Sequence, residues 1–330
     1  IGNNSLADGN DAVALGGDNA GTGAIANGDS TVSLGGEAFV GQTDSAALND
    51  GGLNLTGTVA GGTAVGWRSV VTADRGTALG HLASATATRA TAIGEDAGAG
   101  GERSVALGNL ANASQTGAVA IGDAAQATST GAVAIGDGAS ANGSTAVGAG
   151  STANGTNTAA FGANAAATAA NASALGENST ADQIGATAVG AGAVANGVDA
   201  LASGSDATGG VSATAVGAST VAVGGEAFAG VVNAPVTGTR VDQLNAGGLT
   251  AAGDTPGATA LGWRATATAE RATALGHLAS ADGLRSVAVG EDSYATDSNS
   301  IAMGNGSVAN GGDAIAIGGN RDFGTAGTAA

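Results

Sequence analysis

Along this chain one short unit (a small residue, alanine, an aliphatic, glycine) returns at a fixed interval. Its glycines stand at 66, 80, 94, 108, 122 and 136, then at 148, 162, 176, 190 and 204, and again at 262, 276, 290, 304 and 318. Nearly every step is fourteen residues, and the one step of twelve runs from Gly136 to Gly148. A repeat of this length restricts a chain to solenoids and arrays, in which each unit buries itself only against its neighbours.

Aligned on the glycine, the columns predict what each position does. Just before it stand Leu79, Ile93, Leu107, Ile121, Ile135, Leu175, Leu275 and Val289. One residue earlier is alanine, as in Ala78, Ala92 and Ala106, and before that Thr, Val or Ser. Alternation with β-branched residues is a strand signal. Three and five residues after the glycine come small residues again, such as Ala111 and Ala113, or Ser307 and Ala309. Each repeat therefore reads as two strands of about five residues joined by two short turns, the glycine supplying a backbone position that a Cβ would obstruct. Stacked coils pair each strand with its equivalent at about 4.8 Å. A triangular β-helix needs three hexapeptides per coil, whereas fourteen residues fit a flat, two-sided roll. The alanines have the parity to face inward, and the aliphatic column points out. An apolar stripe of that length needs a cover, and a closed ring of copies supplies one. The monomer alone is not expected to be stable.

Composition narrows the function. Sixty-two glycines in 330 residues, with aromatics at 2%, leave no ordinary core of large side chains. The regular aliphatic spacing argues against disorder. Net charge is −18 and all nine basic residues are arginine, which disfavours nucleic acid and anionic membrane. No apolar run reaches a helical membrane span of about 18 residues. With no Cys, no Lys and two His, the chain offers no recurring nucleophile–base spacing, and no enzyme activity and no cofactor are expected. It begins at Ile1 in mid-repeat, and so reads as part of something longer.

"NSIAMGNGS" (299–307), "RSVALGNLA" (103–111) and "AVAIGDGASA" (132–141) resemble the head repeats of YadA-type trimeric autotransporter adhesins. The resemblance implies an all-β, left-handed parallel β-roll of 14-residue coils, intertwined as a homotrimer and displayed on a bacterial outer membrane. It also implies a coiled-coil stalk and a C-terminal membrane barrel, neither of which is in this sequence. Expected partners are host extracellular-matrix proteins of the collagen, fibronectin or laminin class, with autoaggregation beside them. The rival expectation is a rigid spacer or biofilm self-association module with no host ligand. The collagen-associated pattern of the family is matched best by Asn299, Ser300, Ile301, Ala302, Gly304 and Ser307.

Two breaks interrupt the period, Gly35 to Gly66 and Gly224 to Gly262. Each opens with Gly-Gly-Glu-Ala-Phe, ends in Gly-Trp-Arg, and follows a seven-residue step (Gly28 to Gly35, Gly217 to Gly224) that reads as half a coil. They resemble the family's head inserts, and "TDSAALN" (43–49) and "TRVDQLN" (239–245) faintly resemble its neck. The expected division is coils at 1–35, insert at 36–65, coils at 66–224, insert at 225–261, coils at 262–318 and a tail at 319–330. Because "GTALGHLASA" (76–85) and "ATALGHLASA" (272–281) follow the two inserts, the chain reads as a tandem duplication. Phe39 and Phe228 fall in the inserts and look like apolar groups with no place in the roll.

Three further sets stand out. Trp67, His81 and Glu95 occupy one column after the glycine, and Trp263, His277 and Glu291 repeat it. A metal between trimer copies is the sharp reading of that column. A tryptophan capping the roll at the insert boundary, with histidine beneath, is the favoured one, and no metal is expected. Arg75, Arg89, Arg103, Arg271 and Arg285 form a second column, expected to make inter-chain salt bridges with carboxylates such as Glu95 and Glu291. Gly16–Asn19 only weakly resembles a calcium nonapeptide, and the Thr86/Thr88 and Thr266/Thr268 pairs only weakly suggest an ice-binding ladder, since neither pattern continues.

Overall fold

The computed structural model describes residues 1–17, 23–43, 55–205, 212–232 and 251–319. The chain divides into two compact units, Ile1–Asn154 and Gly155–Ala330, each a parallel β-solenoid with no helix among its described residues. Each regular coil has two strands, one of three residues and one of two, both shorter than the sequence led us to expect. In the first unit the three-residue strands Thr77–Leu79, Thr91–Ile93, Val105–Leu107, Val119–Ile121 and Val133–Ile135 pair in parallel at a fourteen-residue register. The two-residue strands Ser84–Ala85, Gly98–Ala99, Asn112–Ala113 and Gln126–Ala127 build the opposite sheet. The second unit repeats the scheme from Ala159–Phe161 and Ala166–Ala167 onward. The strands are short because every turn takes its share of fourteen residues, leaving just enough extended backbone for the ladder.

The columns fall where parity placed them. Ala78, Ala83, Ala85, Ala90 and Ala92 are buried, while Leu79 is 44% and Leu275 45% exposed. Only small side chains fit between the two sheets, and size is compensated across the gap. Val71 occupies the slot that alanine fills in the next coil, and it faces glycine: a Cβ on Gly76 would lie 2.7 Å from Val71 Cγ1. Where Ala85 replaces the valine, Ala90 stands in the place of Gly76.

The repeating glycine is required twice over. Gly94 has φ +133°, and a Cβ there would sit 2.4 Å from the Gly108 carbonyl oxygen of the next coil. Two residues on, the turn passes through a left-handed residue, as at Leu82 (φ 56°), Asp96 (φ 53°) and Leu110 (φ 54°). The turn on the other edge does the same at Arg75, Arg89 and Arg103. The twelve-residue coil drops two residues from this second turn, and the ladder passes through it unbroken, Ala134 against Ala146 and Ala141 against Ala153.

The breaks in the period are hairpins carried by otherwise normal coils. The ladder runs from Val32–Leu34 to Thr63–Val65, and from Phe39–Val40 to Val70–Val71, each across 31 residues. Between them Gln42–Thr43 pairs antiparallel with Leu55–Gly57. In the second unit Val221–Val223 pairs with Thr259–Leu261 across 38 residues, and Val231–Val232 pairs with Ala251–Gly253. The inserted segments are thus narrower than 36–65 and 225–261, because roll strands lie inside both ranges. The motifs at 44–49 and 239–245, and the tail from 320, fall outside the described residues.

Two further insertions escape the glycine count: the register steps by nineteen residues from Leu6 to Ile25, and by twenty from Val194 to Thr214. The seven-residue step is half a coil: a Cβ on Gly9 would meet the Gly28 carbonyl at 2.3 Å, so these glycines stack on the opposite strand column.

Phe39 and Phe228 correct the sequence reading. Both are strand residues of the roll, paired with Ile25 and Thr214, at 1% and 0% exposure. They point to the outer face of the short-strand sheet, each ring lying over the glycine two residues on, Gly41 or Gly230. In the first unit the hairpin base is tied to this face by the Asn27 side-chain amide, which donates to the Gly57 carbonyl at 3.1 Å. A ring that has no room inside the roll is buried outside it.

Candidate binding surfaces

Alanine fills the interior of the roll, so the surfaces it offers to other molecules are its faces and turn edges. The outer face of the three-residue strands carries the aliphatic column. Leu107, Ile135 and Leu175 are exposed, and Ile93, Ile121 and Val289 half-buried, with Thr, Val or Ser two residues earlier on the same face. The outer face of the two-residue strands is mixed, with Ser84, Asn112, Gln126 and Ser140 in one column of the first unit and Val70 and the buried Phe39 in the same column beside the hairpin. In each unit the long-strand side of the roll is therefore the exposed apolar one and the short-strand side the more polar one.

The column after the glycine becomes a stacked pillar at each insert. Trp67 and His81 stack with centroids 4.9 Å apart and planes 9° from parallel. The Arg68 guanidinium lies 4.4 Å from the indole centroid and pairs with Glu37 of the preceding coil. Two groups this close cannot share one face of the ring, so the indole is enclosed on both sides and shows solvent its edge. His81 Nδ1 reaches Glu95 Oε1 at 3.3 Å. The second unit repeats the arrangement: Trp263 on His277 at 4.9 Å, Arg264 over Trp263 at 4.3 Å and paired with Glu226, and His277 Nδ1 3.2 Å from Glu291 Oε1.

Trp67 is 44% exposed, so tryptophan does not cap the roll as expected; it stands on the turn edge with histidine beside it in the next coil. The Glu37–Arg68 and Glu226–Arg264 pairs were missed in the sequence, although Gly-Gly-Glu and Gly-Trp-Arg frame both inserts. A carboxylate and a guanidinium 31 residues apart look unrelated until the register makes them neighbours. Among the described residues no group of three His, Cys, Asp or Glu is disposed to hold a metal ion.

The arginine column sits on the other turn edge, at left-handed positions. Within the chain Arg103 pairs with adjacent Glu102 at 2.9 Å and Arg271 with Glu270 at 3.5 Å. Glu95 and Glu291 lean on the histidines rather than on this column.

Of the six residues in the best match to the family pattern, three are buried. Ser300 and Ser307 donate their hydroxyls to the Asp297 and Gly304 carbonyls, at 2.6 and 2.9 Å, and Ala302 faces the interior. Gly304 holds the turn at φ +120°. Asn299 is exposed in a left-handed turn (φ 58°), its amide donating to Asp313 Oδ1 at 2.9 Å, and Ile301 belongs to the aliphatic face. Most of that pattern builds the coil, and of the six Asn299 is the one exposed on the turn edge.

One carboxylate is out of balance. Asp182 Oδ1 is buried without a partner, and desolvation pushes this carboxyl above its usual range, against a backbone hydrogen bond that pulls it down.

A parallel solenoid with a small-residue interior, one apolar outer face and exposed turn edges defines a class of repetitive stacked-coil modules. The family described as "YadA head domain repeat (2 copies)" matches residues 1–19, 60–83, 85–111, 113–139, 139–165, 167–193, 256–279, 281–307 and 298–320. Together these are about two thirds of the chain, which belongs to that family. The two long unmatched stretches, 20–59 and 194–255, hold the hairpins. Comparison with curated proteins finds no match. The family is one of adhesins, not enzymes; it implies a surface-exposed autotransporter passenger and trimer formation in general.

Proposed function

We propose that this chain is the adhesive head of a homotrimer that attaches a bacterium to host extracellular matrix, of the collagen, fibronectin or laminin class, and to neighbouring cells. The observation that carries the reading is the aliphatic column, exposed on a roll too thin to bury it. Three copies closing those faces around an axis leave the polar faces and turn edges outward, so ligand contact is repetitive and distributed over many coils. In that arrangement Arg75, Arg89, Arg103, Arg271 and Arg285 reach carboxylates of the adjoining chain and lock its position. The whole protein is held to the outer membrane by a barrel beyond this sequence.

A second reading, a rigid spacer or self-association module without a host ligand, is favoured by the hairpins: the first is bonded back onto its own roll, as a brace would be. Solid-phase binding of the purified head to a panel of matrix proteins separates the two. Saturable binding at nanomolar strength supports the adhesin. No binding, with cell clumping retained, supports the spacer.

A further inference from the structure

Between Arg103 and Arg240 the chain has no basic residue, and up to residue 205 its coils carry no hairpin. This plain stretch holds a run of Asn-x-Ser/Thr triplets: Asn112-Ala-Ser114, Asn142-Gly-Ser144, Asn154-Gly-Thr156, Asn171-Ala-Ser173 and Asn178-Ser-Thr180. All five asparagines are exposed, and none lies on the aliphatic face. Asn112 is on the polar outer face, and strand alternation puts Ser114 on the same side. Asn142 and Asn154 follow equivalent short strands of successive coils, and Asn171 is a left-handed turn residue (φ 60°).

In four of the five the side-chain nitrogen makes no hydrogen bond to the described residues, unlike that of several other exposed asparagines. Asn157 donates its Nδ2 to Asn171 Oδ1 at 3.3 Å, Asn164 to Asn178 Oδ1 at 3.3 Å, and Asn299 to Asp313 Oδ1 at 2.9 Å. None of these three donors starts an Asn-x-Ser/Thr triplet. Among the described residues Asn142 and Asn171 only accept: Asn142 Oδ1 takes the Thr128 hydroxyl at 3.2 Å, while the Ser129 hydroxyl donates to the Asn142 backbone carbonyl at 2.5 Å with Oδ1 at 3.2 Å, and Asn171 Oδ1 takes the Asn157 amide. Their carbonyl oxygens are held and their amide nitrogens left toward solvent. Asn112 and Asn154 have no side-chain bond to the described residues. Asn178 and Asn305 also start triplets, but their nitrogens are directed at Glu177 (3.5 Å) and Glu291 (3.2 Å).

We propose that Asn112, Asn142, Asn154 and Asn171 are N-glycosylation sites, so that the polar face and turn edges of these coils carry saccharide. The donor is a glycosyl diphosphate, used by a transferase that recognises the hydroxyl two residues on. The asparagine Nδ2 attacks the anomeric carbon. The bond from that carbon to the diphosphate oxygen breaks as the C–N bond forms, one amide proton passes to a base of the transferase, and the diphosphate carrier leaves. Asn112, Asn142 and Asn154 lie off both the aliphatic column and the turn position of the arginine column, so modification there is compatible with the proposed trimer, whereas Asn171 shares that turn position and saccharide on it would take the place of an inter-chain contact.

The test is peptide mapping by mass spectrometry of the chain isolated from the surface of the bacterium that encodes it. Ser114→Ala, Ser144→Ala, Thr156→Ala and Ser173→Ala variants are made in the same cells. Whole saccharide increments are expected on the four asparagines of the parent and not on Asn305. Each hydroxyl variant is expected to lose the increment at its own site completely, with unchanged melting. Unmodified peptides at all four sites, increments on serine or threonine instead of asparagine, or increments that survive removal of the hydroxyl overturn the proposal.

Discussion

Alanine dominates this chain because the gap between the two sheets is one small side chain deep per layer, and the exceptions show how tightly that gap is set. Val71 is accommodated because Gly76 faces it, whereas the next coil has Ala85 and Ala90 in those places. Gly76→Ala alone overpacks the roll and is expected to cost about 1–3 kcal/mol; Val71→Ala alone leaves a void. The double variant recreates the neighbouring coil and is expected to recover most of the loss, a coupling of about 0.5–3 kcal/mol. Denaturant melts of the four proteins measure it, and strictly additive losses would deny the compensation. Asp182 makes the opposite case, a polar residue without its due. Its counterpart Asp282 receives the Thr268 hydroxyl at 2.6 Å and the Ser280 hydroxyl at 3.2 Å, whereas Asp182 Oδ1 has no partner. Its folded-state affinity for a proton is raised above that of the unfolded chain, so the penalty is present in full above the raised value and fades as pH falls toward about 4. Asp182→Asn is therefore expected to raise the melting temperature at neutral pH and to lose that advantage in acid. A gain independent of pH would remove burial of the charge as its cause.

At the scale of the coil, the sequence was legible wherever geometry forced a column. Gly94 cannot carry a Cβ 2.4 Å from a carbonyl, so every coil writes glycine there, and the period can be read from it directly. Parity then separates Ala106 from Leu107 without any structure. The hairpins were legible only as interruptions. Nothing in Phe39 or Phe228 announces that the ring belongs to a roll strand, because the partners that bury it come from distant sequence. The longer register steps from Leu6 to Ile25 and from Val194 to Thr214 were hidden because the seven-residue half step restored a familiar spacing just after them. The hairpin is an addition to a normal coil, so it should be removable. Excising 231–254 leaves fourteen residues between Val221 and its partner Thr259, the regular register. The ladder is expected to close over the cut, with a loss of about 1.5–3 kcal/mol from exposing Phe228. Thermal melts together with adhesion of the excised head decide the hairpin's role. Lost adhesion with only this modest destabilisation marks it as a contact surface, and intact adhesion marks it as a brace. Collapse of the fold would show that the insert is part of the coil.

For the molecule as a whole, the roll's two outer faces pose a single question. The polar face needs nothing further. The aliphatic face carries Leu79, Leu107, Ile135, Leu175 and Leu275 into solvent, and water is a poor neighbour for a stripe that recurs in nearly every described coil. The sequence showed that face and the family implies its cover, a trimer; the partners of the arginine column are not legible in the same way, because the carboxylates proposed to meet it belong to another chain. The most direct test is the mass of the purified fragment in solution, by sedimentation equilibrium, beside that of the Ile121→Asp, Ile135→Asp double variant. The parent is expected at three times its 30.0 kDa chain mass. The variant is expected to lose assembly and folding together, since an unpaired charge on the closed face costs several kcal/mol. A parent that is a folded monomer at 30.0 kDa, or a double variant that remains folded as a monomer or assembles unchanged, would contradict the account.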